Sequence, residues 1–306
     1  MSEVQVIAEI GCNHMGDMTI AKDLIRAARQ AGAGVAKFQK RNNRELLSEQ
    51  QYNAPHPVPT NSYGETYGEH REFLEFDFDQ NRELQAFCSD EGIEYSTSVW
   101  DLTSAREITE LQPNFIKIPS ATNQHYELQD YLCHNFQGKI QVSTGMTTRE
   151  EIDRLVNFYV DRGRAKDLTL YACTSGYPVS FEDVCVLEIN RLQELYGDRI
   201  GSVGFSGHHL GIAADIAALT AGKIGEARYG CPFSHIERHF TLDRTWKGTD
   251  HAASLEPDGM RRLCRDVANV SKAITYKNTD MLEVELLQRD KLKWTGSLSK
   301  LNRLAS

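Results

Sequence analysis

A (β/α)8 TIM barrel is the fold that this 306-residue sequence predicts. Short apolar runs alternate with longer stretches of helical periodicity, and eight such strand-then-helix repeats follow one another along the chain. The length also suits the roughly 250 residues that such a barrel needs. An open doubly wound sheet is the competing plan, but its glycine-rich phosphate fingerprint after the first strand is missing.

The strand candidates, in order, are residues 4–10, 34–39, 93–97, 115–118, 139–143, 168–172, 200–205 and 233–237. Helical candidates between them include 18–30, 80–90, 148–161, 181–195 and 211–221. In a strand, residues two apart share a face. The first run therefore ends on Glu9, the second presents Lys37 and Gln39 together, the third ends on Thr97, and the fourth carries Lys117 with Ser120 just beyond. The fifth ends on Ser143, Tyr177 follows the sixth, Ser206 and His208 follow the seventh, and Glu237 and His239 share a face at the end of the eighth. Every strand end thus delivers a polar or ionisable side chain to one rim, the carboxyl face on which barrel sites are built.

Two segments exceed the barrel plan. Residues 41–78 carry Pro55, Pro57 and Pro59 and then Tyr63-Gly64-Glu65-Thr66-Tyr67-Gly68-Glu69-His70, which predicts an ordered lid on the functional face. Residues 222–232 precede the last strand and are expected on the opposite, stability face, with no catalytic role. The barrel is expected over 1–280 with 41–78 as its extended loop, and 281–306 as a C-terminal tail packed on or beside it.

Composition narrows the function. A hydrophobic fraction of 40% and a charged fraction of 25% are those of a soluble globular protein, with no apolar run near the ~20 residues of a membrane span. Met1 leads almost directly into Val4, Val6 and Ile7, so no secretory leader and a cytoplasmic location are expected. Seven scattered cysteines without a C-x-x-C pair argue against a disulfide framework or a structural zinc site. A net charge of −9 argues against nucleic-acid and anionic-membrane surfaces. It leaves room for a small anion, because salt screens distant surface charge more than it screens lysines in a cleft.

Either Lys37 or Lys117 alone reads as a snorkelling surface residue. Together at two strand ends they suit an anion, each contributing about 4 kcal/mol of gross Coulomb attraction at ~4 Å and an effective dielectric near 20. Thr97, Ser120, Ser143 and Ser206 beside them extend this to a phosphate or carboxylate site. His208 and His239 come from adjacent strands and can reach one divalent cation, with two hydrogen-bonded histidines as the other reading. His14, His209 and His251 are the competing ligands. Glu9 and Glu237 suit acid/base roles or buried ion pairs, whereas Arg238 points away from Glu237 and suits a structural ion pair. Lys40 and Arg41 are either partners for a sugar phosphate or a solvated basic pair.

In order and spacing, these residues resemble the sialic acid synthase family from Ile7 to about Val267. The carriers are Ala8-Glu9-Ile10-Gly11-Cys12-Asn13-His14, Ala36-Lys37-Phe38-Gln39-Lys40, Thr66-Tyr67-Gly68-Glu69-His70, Ile116-Lys117-Ile118-Pro119-Ser120, Ser143-Thr144-Gly145-Met146, Thr174-Ser175-Gly176-Tyr177-Pro178, Ser206-Gly207-His208 and the segment 235–257. The resemblance implies a cytoplasmic, homodimeric barrel enzyme that condenses phosphoenolpyruvate with an aldose, an N-acylhexosamine or its 6-phosphate, to give a nonulosonic acid and phosphate. By motif position it implies Lys37, Thr97, Lys117, Ser120, Ser143, Ser175 and Ser206 for phosphoenolpyruvate, and Gln39, Tyr177 and Asp250 for the sugar. His208 and His239 would take a divalent ion (Mn²⁺, Mg²⁺ or Co²⁺), and Glu9 and Glu237 would act at the reacting aldehyde.

The sequence departs from the family twice. Relatives carry Gly-Ser-Gly and an acid after the fourth-strand lysine, where this chain has Pro119-Ser120-Ala121-Thr122-Asn123. Full-length relatives also append an antifreeze-like domain, for which this sequence leaves no room, so that a separate polypeptide supplies it or the acceptor does not require it. A metal-dependent sugar aldolase or lyase and a non-catalytic sugar-phosphate-binding barrel are the alternative functions.

Overall fold

The computed structural model describes residues 3–294. They fall into two compact units, divided between Ser271 and Lys272. The chain runs β1 (Gln5–Gly11), α1 (Met18–Ala31), β2 (Val35–Lys40), α2 (Asn43–Leu46), α3 (Glu49–Asn53), α4 (Tyr67–Phe73), α5 (Phe78–Glu91), β3 (Glu94–Val99), α6 (Leu102–Leu111), β4 (Phe115–Ile118) and α7 (Tyr126–Asn135). It continues through β5 (Lys139–Ser143), α8 (Arg149–Asp161), β6 (Leu168–Cys173), α9 (Glu188–Tyr196), β7 (Ser202–Gly207), α10 (Ala213–Tyr229), β8 (Phe233–His239), α11 (Pro257–Ala273) and α12 (Glu283–Leu292). The eight strands are parallel and close in chain order, β1 pairing with β8, which is the barrel the sequence predicts.

Local chemistry sets the boundaries. Asp17 accepts hydrogen bonds from the Thr19 and Ile20 N–H groups to start α1, and Gly32 in the left-handed region stops it. Reciprocal capping boxes, Asp77 with Gln80 and Thr148 with Glu151, start α5 and α8. Inside the barrel, Ile7, Val35, Phe115 and Tyr171 form a buried apolar layer. Two residues further along the same strands stand Glu9, Lys37, Lys117 and Cys173, so strand alternation lays a polar layer directly on an apolar floor.

Residues 41–78 contain α2, α3 and α4 and have a packing centre of their own. The Tyr52 ring lies under the Arg44 guanidinium at 3.7 Å, and its hydroxyl donates to Glu72 at 2.6 Å. Gly68 is required there, because an added Cβ would sit 2.2 Å from the Tyr52 ring. An Arg41–Glu75 ion pair closes the segment on itself, and it is tied to the barrel by the Asn42 N–H donating to Asp101 at 2.6 Å and by Glu45 accepting from the Leu102 N–H at 3.1 Å.

Three sequence expectations change. Residues 222–232 are not a separate connection: α10 continues to Tyr229, because Gly222 and Gly225 are places of close approach and not breaks. A Cβ on Gly222 would meet the Phe233 ring at 2.3 Å, and one on Gly225 would meet Gln193 at 1.8 Å. Of the predicted helix 181–195 only α9 is α-helical, preceded by a 3-10 turn and by Cys185 at a positive φ. β3 runs on to Val99, which alters the reading of its face.

The second unit carries α12, beside which Lys277 forms an ion pair with Glu285 at 2.8 Å. Residues 295–306 of the predicted tail lie outside the described residues. Among the described residues no helix is long and apolar enough to cross a membrane.

Candidate active site

A cavity of about 320 Å³ opens at the carboxyl ends of the strands. Glu9, Lys37, Gln39, Lys117, Ser120, Ser143, Ser175, Tyr177, Ser206, His208, Glu237 and His239 all line it. Thr97 does not. In register it stands beside Phe38 and Ile116, on the helix-facing side of the sheet, and is fully buried there. Its neighbour Ser98, in register with Gln39 and Lys117, takes the place in the cavity that the sequence reading gave to Thr97. The physical reason is local: Ser96-Thr97-Ser98 has no apolar alternation to show which face is which. The cue was Asp101, which accepts from the Ser104 N–H as the cap of α6, so the strand extends nearly to that cap.

The floor is an interlocked set of four charges. Lys37 forms an ion pair with Glu9, donates to Ser98 Oγ at 2.8 Å and lies 3.6 Å from Glu237. Lys117 donates to Glu237 at 2.5 Å and lies 4.4 Å from the centre of the Tyr171 ring. Ser206 donates to the same Glu237 oxygen at 3.0 Å, and Gln39 donates to Glu9 at 2.8 Å. Burial alone would raise the Glu237 carboxyl, but Lys117 and Lys37 more than offset it and hold the group well below the usual carboxylate range. For Lys37, burial is outweighed by Glu237 and Glu9, and its pKa rises. Burial dominates at Lys117, with repulsion from Lys37 adding to it, and its pKa falls despite Glu237.

One wall is built of hydroxyls. Ser120 Oγ accepts from the Gly145 N–H at 3.1 Å. A Cβ at Gly145 would lie 2.4 Å from Ser175 Oγ and 2.7 Å from Ser120 Oγ, so only glycine lets these two side chains approach so closely. Cys173 and Ser143 complete this side.

On the rim, the rings of His208 and His239 are 5.4 Å apart, centre to centre. His208 Nδ1 lies 3.0 Å from the Thr174 carbonyl, so in the neutral ring the proton belongs on Nδ1 and the Nε2 lone pair is free. Burial and repulsion from His239 push the His208 pKa down to about 3, which keeps it neutral. His239 Nδ1 is buried without a hydrogen-bond partner, 3.9 Å from Asp250. Two imidazoles so placed, with a carboxylate behind one of them, fit a cation held at an open site. No group of three or more His, Cys, Asp or Glu that could hold a metal converges among the described residues, so the pair would leave most positions to substrate and water.

The competing histidines are engaged elsewhere. His14 stacks on Phe76 with ring centres 4.0 Å apart, His209 lies 3.2 Å from Asp215, and His251 bonds to Thr241 at 2.8 Å. Arg238 turns outward and is buried, pairing with Asp215 and donating to the Gly211 and His209 carbonyls at 2.8 and 2.6 Å, the structural ion pair expected of it. Lys40 and Arg41 are neither solvated nor free, being paired with Glu107 and Glu75.

Asp250 lies outside the cavity and lines an adjoining hollow of about 390 Å³. The two spaces share Gln39, Trp100, Tyr177 and His239. The outer wall of the hollow comes from the 41–78 segment, including His70 and Arg71, which sequence reasoning did not single out for chemistry.

Comparison with known proteins agrees with this architecture. The model of the NeuB family matches residues 24–279. N-acetylneuraminate-9-phosphate synthase of Homo sapiens is 35% identical over 292 residues, covering 94% of this chain and 76% of that protein. N,N'-diacetyllegionaminic acid synthase of Campylobacter jejuni is 32% identical over 277 residues, covering 90% of this chain and 78% of that one. Among solved structures, the N-acetylneuraminic acid synthetase of Leptospira borgpetersenii in complex with citrate superposes with a TM-score of 0.77 at 23% identity, covering 95% of this chain and 93% of that chain, a likeness of fold. With a family model matched over most of its length and a relative of this identity aligned along nearly all of it, the chain belongs to the NeuB family.

Proposed function

We propose that the chain condenses phosphoenolpyruvate with the open-chain form of an aldose, an N-acylhexosamine or its 6-phosphate, to yield a nonulosonic acid and phosphate. The observation that carries this reading is the pair of buried lysines, interlocked with two carboxylates beneath a wall of serines and beside two imidazoles. The names of the relatives, synthases of neuraminate 9-phosphate and of legionaminic acid, support it.

Lys37 and Lys117 bind the phosphate and carboxylate of phosphoenolpyruvate, with Ser98, Ser120, Ser143, Ser175 and Ser206 as hydroxyl donors. His208 and His239 would hold a divalent ion such as manganese, magnesium or cobalt. The chemistry such an ion supplies when bound is Lewis-acid polarisation of the acceptor's carbonyl oxygen. Gln39, Tyr177 and Asp250 orient the sugar so that its aldehyde carbon faces C3 of phosphoenolpyruvate. As the new carbon–carbon bond forms, C2 becomes electron-poor and Glu237 and Glu9 stabilise that charge. One of these carboxylates takes a proton from the water that adds to C2. The C2–O bond to phosphate then breaks, the bonding pair leaves with the phosphate, and the lysines offset its charge. A homodimer belongs to the same reading and is checked by sedimentation velocity.

The test supplies phosphoenolpyruvate, Mn²⁺ and N-acetylmannosamine or its 6-phosphate, and follows phosphate release with 2-keto acid formation. Aldose-dependent release that disappears in His208→Ala is expected. Absence of release from folded, metal-loaded protein would sink the proposal, and use of pyruvate without phosphate release would replace it with an aldolase.

A further inference from the structure

The hollow beside the reaction cavity holds a guanidinium without a counter-ion. Arg71, on α4, forms no ion pair among the described residues. Its Nη1 donates to Tyr67 Oη at 2.9 Å, and its Nε is buried with no acceptor. Three carboxylates close to it in sequence, Glu69, Glu72 and Glu75, are committed elsewhere. Glu69 closes the capping box by accepting from the Glu65 and Thr66 N–H groups at 2.9 and 3.1 Å. Glu72 pairs with Arg44 and accepts from Tyr52, and Glu75 pairs with Arg41. Leaving a partly buried cation unpaired is costly, so an arrangement that withholds three nearby acids from it suits an anion that arrives from solution.

His70 stands next to it. Its Nδ1 accepts from the Tyr63 N–H at 3.1 Å, which places the ring proton on Nε2 as a second donor without an acceptor among the described residues. Both side chains line the hollow. Trp100, whose ring centre is 5.5 Å from the Arg71 guanidinium carbon, lines the reaction cavity as well. A single ligand can therefore have one end at Gln39 and His239 and the other at Arg71.

We propose that Arg71 and His70 hold a phosphate at the far end of the acceptor, so that this chain selects an N-acylhexosamine 6-phosphate over the neutral sugar. The inference rests on the condensation reading, which places the acceptor's aldehyde at the near end.

Isothermal titration of the full chain with N-acetylmannosamine 6-phosphate and with N-acetylmannosamine, in the absence of phosphoenolpyruvate, tests it without turnover. Wild-type protein is expected to prefer the phosphorylated sugar by roughly 10- to 100-fold, the range of charge-assisted hydrogen bonds. That preference should fall below about 3-fold in Arg71→Met and recover in part in Arg71→Lys. Retained phosphoenolpyruvate affinity verifies that each variant's barrel is intact, and if Arg71→Met does not fold, the loss in Arg71→Lys decides. Equal wild-type affinity for both sugars, or a preference that neither substitution diminishes, overturns the assignment. Because the readout is binding, failure of condensation in the phosphate-release assay is distinguishable from failure of this subsite.

Discussion

Replacing Glu237 by glutamine should tighten phosphoenolpyruvate binding while it slows turnover steeply. The floor is balanced, with Lys37 and Lys117 set against Glu9 and Glu237, so an incoming anion competes with carboxylates already seated on the lysines. Glu237 lies 2.5 Å from Lys117 and 3.6 Å from Lys37, close to wherever a phosphate or carboxylate on those ammonium groups must sit. At about 5 Å and an effective dielectric near 20, removing one such negative charge relieves about 3 kcal/mol of gross repulsion. Desolvation and relaxation of the lysines absorb much of that, leaving on the order of 1 kcal/mol, roughly a fivefold lower Kd. Glutamine keeps the shape and still accepts from Ser206, but it cannot take a proton, so kcat should fall by roughly 10²- to 10⁴-fold. Phosphoenolpyruvate binding can be followed by tryptophan fluorescence, since Trp100 lines the cavity, and kcat by phosphate release. Weaker binding in Glu237→Gln would refute the competition argument, and an unchanged kcat would remove the residue from proton transfer.

Other outcomes follow from the same geometry. Ser98→Ala should raise the KM for phosphoenolpyruvate several-fold, whereas Thr97→Val, on the helix-facing side, should leave it within about twofold; the reverse pattern in steady-state kinetics would restore the first reading of β3. Arg238→Met takes the guanidinium from the fully buried Asp215 carboxylate, leaving it His209 at 3.2 Å, and should cost about 3–5 kcal/mol in urea unfolding, with Arg238→Met/Asp215→Leu recovering a good part of it. His14 is depressed to about 3 by burial and by Arg41 from an ordinary 6.5, so between those values the unfolded chain binds a proton that the folded one refuses. Stability is therefore lost as pH falls through that window, by about 2 kcal/mol at pH 5 from this residue alone, and His14→Phe should flatten the pH dependence of the urea midpoint.

The barrel was legible because most of its eight strands are short apolar runs and most rim residues sit at a fixed offset from one. Lys37, Lys117, Glu237 and His239 could be placed by counting in twos. Thr97 failed because a run of three small hydroxyl residues carries no facing information, and only the cap at Asp101 fixes where β3 ends. Gly222 and Gly225 were misread because a glycine that admits a neighbouring ring or amide has the same letter as one that breaks a helix. Arg71 was invisible for a different reason: its chemistry depends on where Glu69, Glu72 and Glu75 spend their charges, and sequence proximity alone would have paired it with one of them.

The excursion at 41–78 centres its packing on its own Tyr52 and meets the barrel at a few points, Asn42 to Asp101 and Phe76 on His14 among them. A substitution along α4 thus changes what the rim grips without disturbing strand register or the charges on the floor. One wall of the hollow can therefore be exchanged at Arg71 and His70 while Lys37, Lys117, Glu9 and Glu237 keep one another as partners.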